Sequence, residues 1–538
     1  MKSTLQEAPL LVAGIVRHAS EVHGDRGVLT ARGSGQISRV SYREVGERAA
    51  RLANALREIG IRGDERVATL QWSNQEHLDA YAAVPSMGAV LHTLNLRLPP
   101  EQLTWIANHA EDRVIIVDGT VLGLLAAALP SMTSVRTVLV TGAGDLAAVQ
   151  GCGKDVLRYD DVVDAQPSTF DWPDVDEQSA AAMCYLSDPK GVVYSHRSTW
   201  LHSQAACTSN ALGIGHDDTV LAIVPMFHAN AWGLPYAAMM AGAQLLLPDR
   251  FLQAGPLVEM IEPVRPTMAG AVPTIWTDVL HYLRDNPSHD VSSLKLVACG
   301  GSAVPRSLMT AYDELGVRIV QAWGMTETSP LAAVALPRNT DTPERSLHLR
   351  GTQGRMVAGV CKPASSMTPA PNSPGTERRW GKFRSAARGS PGRITSMTLR
   401  RCRRTGGCAP GTSWTINADA FITLTDRSKD VIKSGGEWIS SVELENELAA
   451  PAVRTATVIG VPDDKWQERP LAVVVPAADR VATAAELTGF LRAGVAKWWL
   501  PERWAFVTDI PLTSTGKFDK KKLRRQYADG DLTVETLA

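Results

Sequence analysis

Between residues 38 and 140 the apolar positions switch repeatedly between two periods. Tyr42–Ile59 carries them at helical spacing, Arg66–Gln71 reads as a short buried strand, Glu76–Met87 is helical again and Ala89–Leu94 is extended. Pro100–His109 then predicts a helix and Arg113–Val117 a strand. Strands separated by helices imply parallel strand–helix–strand units and a doubly wound sheet. The strand pattern resumes at Val220–Val224, Ala243–Leu247, Ser293–Ala298 and Val317–Gln321. Further on, Phe421–Thr425 and Thr455–Val461 belong to a compact alternating arrangement that closes near Lys517. That stretch predicts a small C-terminal α+β domain of roughly 110 residues. No internal repeat is visible.

Composition narrows the class. A chain of 538 residues exceeds what one hydrophobic core serves, so two to four domains or subdomains are expected. With 44% hydrophobic and 21% charged residues, a disordered chain, a collagen and a disulfide-dense scaffold are excluded. A formal net charge of -1 gives no overall attraction to nucleic acid or anionic lipid. No apolar run approaches the roughly 18–20 residues of a membrane helix. The opening MKSTLQEAPLLVAGIVRHAS is too broken for a signal peptide. The cysteines (Cys152, Cys184, Cys207, Cys299, Cys361, Cys402 and Cys408) are odd in number and form no CxxC pair. They read as reduced thiols in the cytoplasm rather than as a zinc site.

One segment breaks the pattern. Residues 361–414 hold eleven Lys and Arg against the single acid Glu377, six prolines, and only Ile394 and Leu399 among Ile, Leu and Val. The rest of the chain is left with 44 basic and 55 acidic residues, a net of -11. Taken alone, such a stretch is a disordered linker or a basic arm for nucleic acid, although no recognisable nucleic-acid module accompanies it.

Four motifs carry candidate chemistry. Gln321-Ala322-Trp323-Gly324-Met325-Thr326-Glu327-Thr328 follows a predicted strand. An aromatic beside glycine lets a planar base stack while the backbone comes close, a threonine can bond a phosphate oxygen, and the carboxylate suits a phosphate-bound Mg²⁺. Cys299-Gly300-Gly301-Ser302-Ala303-Val304-Pro305 sits at another strand end, where paired glycines permit close approach to a ligand. The third runs from Thr425 to Glu437 and includes Arg427, Lys429, Lys433, Gly435 and Gly436. The fourth is Pro511-Leu512-Thr513-Ser514-Thr515-Gly516-Lys517, a lysine in a glycine-containing loop that can meet an anion as a mobile point charge. Each alone has an ordinary reading as a turn or a solvated surface.

In this order and spacing the four resemble the adenylate-forming superfamily, and within it the medium- and long-chain fatty-acid–CoA ligases. Arg66 to Asp118, Met226-Phe227-His228-Ala229-Asn230-Ala231-Trp232-Gly233 and Val458 to Arg469 look like the same family. The resemblance implies an α/β fold: a large N-terminal domain of doubly wound mixed sheets (1–425) and a small mobile α+β domain (426–538). It implies activation of a fatty acid by MgATP to an acyl-adenylate, rotation of the small domain, and attack by the CoA thiol as co-substrate. By position, Trp323 would stack on adenine, and Thr326 and Glu327 would serve phosphate and Mg²⁺. Gly300, Gly301, Ser302, Ala322, Gly324 and Met325 would complete the nucleotide site. Lys517 would bridge the acyl carboxylate and the α-phosphate, and Arg427 would contact the ribose. Lys429 would be the hinge, and Lys433, Gly435 and Gly436 would serve CoA in the second half-reaction. His228 and Trp232 would form the gate and wall of the acyl channel, with core packing the competing role for Trp232. The implied partners are small molecules, with no nucleic acid and no integral membrane segment; a homodimer and peripheral contact with a membrane are compatible with it. Two other readings stay open: an acyl-AMP ligase loading a separate carrier protein, and a decayed protein that only binds an acyl group or nucleotide.

Two departures stand out. The family's phosphate loop has the form Y-T-S-G-T-T-G-x-P-K-G, and here the chain reads Tyr185-Leu186-Ser187-Asp188-Pro189-Lys190-Gly191. Four residues are missing, including the glycine–threonine core whose backbone N–H groups would cradle phosphates. Ser187 and Lys190 remain, and weakened ATP binding or slower adenylation is expected. The second departure is 361–414, where the family has G-E-x-x-V-R-G-P and then G-W-x-R-T-G-D. Read from codons displaced by one base, Thr405–Trp414 is compatible with D-G-W-L-R-T-G-D-V-V and Phe383–Gly392 with V-Q-V-R-G-P-W-I-T-G. Two compensating frameshifts, near Val360 and Trp414, are the expectation. The segment as written lacks the ribose-binding aspartate.

Overall fold

The computed structural model describes residues 8–185, 191–357, 379–382 and 412–537, apart from 418, 428–431, 435–436, 449, 451, 478–479, 481, 493–494 and 514–515. Its framework is two large sheets. One has seven strands in the order Asp155–Arg158, Thr137–Thr141, Asp112–Asp118, Arg66–Leu70, Val90–Thr93, Ala180–Tyr185 and Gly191–Ser195. All neighbours are parallel except the last pair. The other has nine: Arg355–Met356, Leu331–Val334, Arg318–Gly324, Leu296–Gly300, Met268–Ala271, Thr219–Ala222, Gln244–Leu247, Gly27–Gly33 and Gln36–Ser41. Its middle is parallel and both margins are antiparallel.

The helix Tyr42–Ile59 illustrates how the sequence builds the layer between them. Ser41 and Glu44 form a reciprocal capping box, and Gly60 ends the helix at φ +107°. Tyr42, Val45, Ala49, Leu52, Ala53 and Leu56 recur at three- and four-residue steps and are all buried. They join one cluster containing Val67, Leu91 and Ile116 of the seven-stranded sheet and Val220, Leu245 and Val320 of the nine-stranded one. Each sheet's other face has a cluster of its own, packed with the helices Ala254–Val264 and Pro273–Asp285 in one case and Pro100–Ala110 in the other. Helices therefore alternate with the two sheets in five layers.

Of the strand boundaries that move, two bear on the site. The expected strand Ser293–Ala298 lies at Leu296–Gly300, because Ser292 N–H bonds Asp290 Oδ1 at 2.8 Å and Leu294 N–H bonds the Val291 carbonyl, which makes a turn there. The strand expected at Val317–Gln321 runs on to Gly324, since Trp323 and Gly324 pair with Ala333 and Leu331 of the next strand. The first four residues of the motif Gln321–Thr328 are thus the end of a strand rather than the loop after it.

A six-stranded sheet follows, with Val453–Asp463 and Gln467–Pro476 as its long antiparallel pair. Clusters on its two faces include Trp504 and Leu444 on one and Leu471 and Leu523 on the other. Within the segment singled out above, Arg379–Lys382 pairs with Thr412–Ile416, which pairs with Ile422–Arg427. The rest of 361–414 lies outside the described residues, as do the junction at Val360, Ser187, Lys190, Lys429, Gly435 and Gly436.

Candidate active site

In open sheets of this kind ligands bind beyond the carboxyl ends of parallel strands. Four of the nine strands end together. Leu296–Gly300 leads into Gly301 and Ser302, and Arg318–Gly324 leads into Met325, Thr326 and Glu327. Met268–Ala271 ends at Val272, and Thr219–Ala222 leads to His228 through Phe227. Gly300 pairs with Ala322, and a Cβ at Gly300 would collide with the Ala322 carbonyl oxygen. The Gln321 side chain braces this edge: its Oε1 accepts from Val304 N–H at 2.8 Å and its amide donates to the Thr352 carbonyl at 3.0 Å.

Beyond Trp323 the chain turns sharply. Met325 N–H bonds Thr328 Oγ1 at 2.8 Å, and the buried Thr326 offers its carbonyl to the Tyr194 hydroxyl at 2.8 Å. Glu327 is half-buried, and its charge acts on Tyr194. Among the described residues no three His, Cys, Asp or Glu side chains are grouped to hold a metal ion. A single carboxylate fits Mg²⁺ arriving on a nucleotide, since that ion is usually held by one or two carboxylates and the substrate's phosphates.

The stretch after Phe227 is strained. Ala229, Asn230, Ala231 and Trp232 have φ of +43°, +50°, +49° and +55°, followed by Gly233 at +74°. A left-handed residue other than glycine costs roughly 1–2 kcal/mol, so neighbours must hold this turn. Thr93 Oγ1 donates to the Phe227 carbonyl at 3.2 Å, Met226 N–H bonds Ser73 Oγ at 3.2 Å, and Cys184 Sγ meets Asn230 Oδ1 at 3.4 Å. The turn brings the Trp232 ring to 3.3 Å from where a Cβ on Gly300 would be, and 3.9 Å for Gly270. Trp232 therefore lies over the ends of both strands. His228, at the start of the turn, has its pKa lowered to about 4 by burial and then by the positive charges of Lys517 and Arg97. It is neutral at physiological pH.

The small sheet contributes the last group. Lys517 sits on a loop closed by Thr513 N–H to the Lys517 carbonyl at 2.7 Å and Gly516 N–H to the Thr513 carbonyl at 2.9 Å. Its Cε would be 3.5 Å from a Cβ on Gly301, itself at φ +88°, and Gly516 faces Val272 and Arg97. Gly300, Gly301, Ala322, His228, Trp232 and Lys517 thus converge on one edge, with Trp323 through Glu327 along it. Arg427 pairs with Thr412 at the end of its strand, and Lys433 pairs with Trp438 in a short hairpin, so the backbones of both are located. Sequence reasoning passed over Arg97 and Tyr194. Arg97 lies just past the parallel strand Val90–Thr93, and that position was its only signal; Tyr194 had none.

A family model described as AMP-binding enzyme matches residues 16–362, and one described as AMP-binding enzyme C-terminal domain matches 443–517. The first match ends two residues inside the basic segment. A 3-methylmercaptopropionyl-CoA ligase of Ruegeria pomeroyi is 40% identical over 98% of this chain and 99% of its own length. A medium-chain-fatty-acid–CoA ligase of Ectopseudomonas oleovorans is 38% identical over 98% of each. The crystal structure of the anthranilate CoA ligase AuaEII with anthranoyl-AMP superposes with a TM-score of 0.85 at 25% identity, covering 99% of this chain and all of that one.

Proposed function

Because the chain belongs to the AMP-binding enzyme family, we propose that it activates an aliphatic carboxylic acid with MgATP and transfers the acyl group to CoA. The carboxylate oxygen attacks the α-phosphorus and pyrophosphate leaves. The CoA sulfur then attacks the acyl carbon, AMP departs and the thiol proton goes to solvent. The observation that carries this reading is Lys517 brought against Gly301 at the edge that holds Trp323, Thr326 and Glu327.

Lys517 neutralises charge developing between the acid and the α-phosphate, a contribution that is large when the donor is held in advance. Trp323 offers its face to adenine, Thr326 a hydroxyl to phosphate, and Glu327 a carboxylate to the metal that comes with the nucleotide. The neutral His228 and Trp232 border the acyl group without adding charge beside its carboxylate. Arg427 reaches the ribose, Lys429 is the hinge, and Lys433, Gly435 and Gly436 meet CoA after the small domain turns. Residues 1–425 form the nucleotide-binding part and 426–538 the moving part. Homologous full-length CoA ligases support the thiol acceptor over a carrier protein. Peripheral contact with a membrane and a homodimer belong to the same reading.

The test is acid-dependent exchange of labelled pyrophosphate into ATP across straight-chain acids, followed by mass measurement of products with CoA and with acyl-carrier protein side by side. Exchange and a CoA thioester are expected. Nucleotide binding without exchange for any acid would leave a binding protein instead, a result that the shortened loop before Gly191 would explain.

A further inference from the structure

Next to the site edge lies a small cavity with room for about one water-sized group. Asn230 and Gly233, of the turn that carries Trp232, line it on one side. Ser329 and Pro330, just past Glu327, line it on another. Tyr194, which holds the Thr326 carbonyl, and His202 of the helix His196–Ala206 line the rest.

His202 and Asn230 are only 3% and 4% exposed, yet each keeps a donor unused. His202 Nε2 accepts from Leu331 N–H at 3.1 Å, so the proton of the neutral ring is on Nδ1. Burial lowers the pKa of this ring to about 4, which keeps it neutral. Nδ1 would lie 2.4 Å from a Cβ on Gly233, at the cavity's wall, and has no hydrogen-bond partner among the described residues. Asn230 Oδ1 accepts from Cys184 Sγ at 3.4 Å, which leaves its amide nitrogen equally without a partner among them. Both nitrogens reach open space: neither is among the closed-off polar atoms of the interior, such as His92 Nε2 and His196 Nε2. The hydroxyls of Tyr194, Ser203 and Tyr236 at the same cavity already donate, to the carbonyls of Thr326, Thr199 and Tyr81. The cavity therefore offers two spare N–H donors and no charged side chain.

We propose that this cavity receives the tail of the acid, and that His202 and Asn230 select a tail carrying one uncharged hydrogen-bond acceptor: a carbonyl, an ether or a thioether. That an acid is what reaches the cavity rests on the ligase reading. Buried donors left unpaired are costly, so a tail that pairs them is favoured over a hydrocarbon tail of the same length. A second carboxylate fares worst, because no lining side chain offers it a countercharge.

The experiment compares straight-chain acids with matched acids that carry a keto oxygen, an ether oxygen or a thioether sulfur at successive positions of the tail. Two readouts are taken on the full chain: labelled pyrophosphate exchange, and calorimetric titration of each acid without ATP. At one position kcat/KM for exchange should exceed that of the matched hydrocarbon acid by about tenfold or more, with affinity following it. The matched dicarboxylic acid should fall below both. Asn230→Asp removes the amide donors with a residue that tolerates the left-handed region, and His202→Phe removes the other donor. Each should bring the ratio between the two acids to about twofold or less, whatever general activity is lost. Circular dichroism melts identify a variant that has lost its fold, and the parent's own ratio then decides. No preferred position in the parent overturns the proposal and means that a retained water satisfies both donors; a ratio that persists in both variants overturns it as well. Exchange without preference leaves the ligase reading standing. Preference in titration without exchange for any acid upholds the cavity's role and overturns that reading.

Discussion

The seven-stranded and nine-stranded sheets are wound alike: parallel strands in the middle, an antiparallel strand closing a margin, helices on both faces. Their carboxyl edges face the same seam, yet they carry different things. The nine-stranded edge presents Gly300, Gly301 and Trp323 to Glu327, every backbone atom in place. At the corresponding edge of the seven-stranded sheet, Tyr185 and Gly191 pair directly across a connection of five residues, where the family uses nine. The comparison teaches that a fold of this kind tolerates loss at one edge without disturbing the other. Layered cores hold the strands, whereas holding phosphates is the work proposed for the loops beyond them.

Acid breaks the comparison most completely, because it attacks the layer both edges share. His77, His196, His202 and His228 all have pKa values lowered to about 4 by burial. The unfolded chain, with imidazoles near 6.5, binds more protons between those values. Stability from these groups is therefore full above pH 6.5 and falls as pH drops toward 4, by at most about 1.4 kcal/mol per pH unit for each. Denaturant unfolding at pH 7.5 and 5 measures it; equal midpoints would show that these imidazoles are solvated.

Removing Lys517, which the small domain brings to this edge, sharpens the contrast next. Lys517→Ala should cut pyrophosphate exchange about 100- to 1,000-fold, while CoA transfer from supplied acyl-adenylate stays within about threefold. A parallel loss of both half-reactions would mean that the lysine acts through folding. Restoring four residues between Tyr185 and Gly191, in the family's Y-T-S-G-T-T-G-x-P-K-G form, should lower the KM for ATP about tenfold through regained backbone donors. No change would mean that the two edges are already equivalent in function. The smallest effect is expected for Trp323→Ala, a rise of about three- to tenfold in the KM for ATP with kcat little altered, from lost stacking.

Much of this was legible in the chain because burial imposes periodicity. Tyr42–Ile59 repeats apolar residues every three or four positions and is a helix with those same bounds; Arg66–Leu70 and Val90–Thr93 show no alternation of buried and exposed positions because both their faces are covered, and even Thr69, His92 and Thr93 are buried there. The glycine pair and the tryptophan at the strand ends were legible as types. What escaped was geometry between distant residues. In Ala229-Asn230-Ala231-Trp232 only Asn230 is of a type that favours the left-handed region, which does not announce four such residues in a row, and the conformation is held by Thr93, Ser73 and Cys184 from distant parts of the chain. Tyr194 reaches Thr326 across 132 residues, a contact that no local pattern encodes.

That left-handed turn also limits what the protein can become. A branched side chain at 229–232 would press its Cβ substituents into the following carbonyl, so valine, isoleucine and threonine are nearly closed to selection there. The wall beside the strand ends is written in a short alphabet. On the proposed reading, changes of acyl preference are cheaper at Leu234, which is helical, or at Gly270, where a Cβ would meet Leu234 at 2.9 Å and the pair could be exchanged together. A family tree of such chains should therefore vary in those two columns before it varies in the turn.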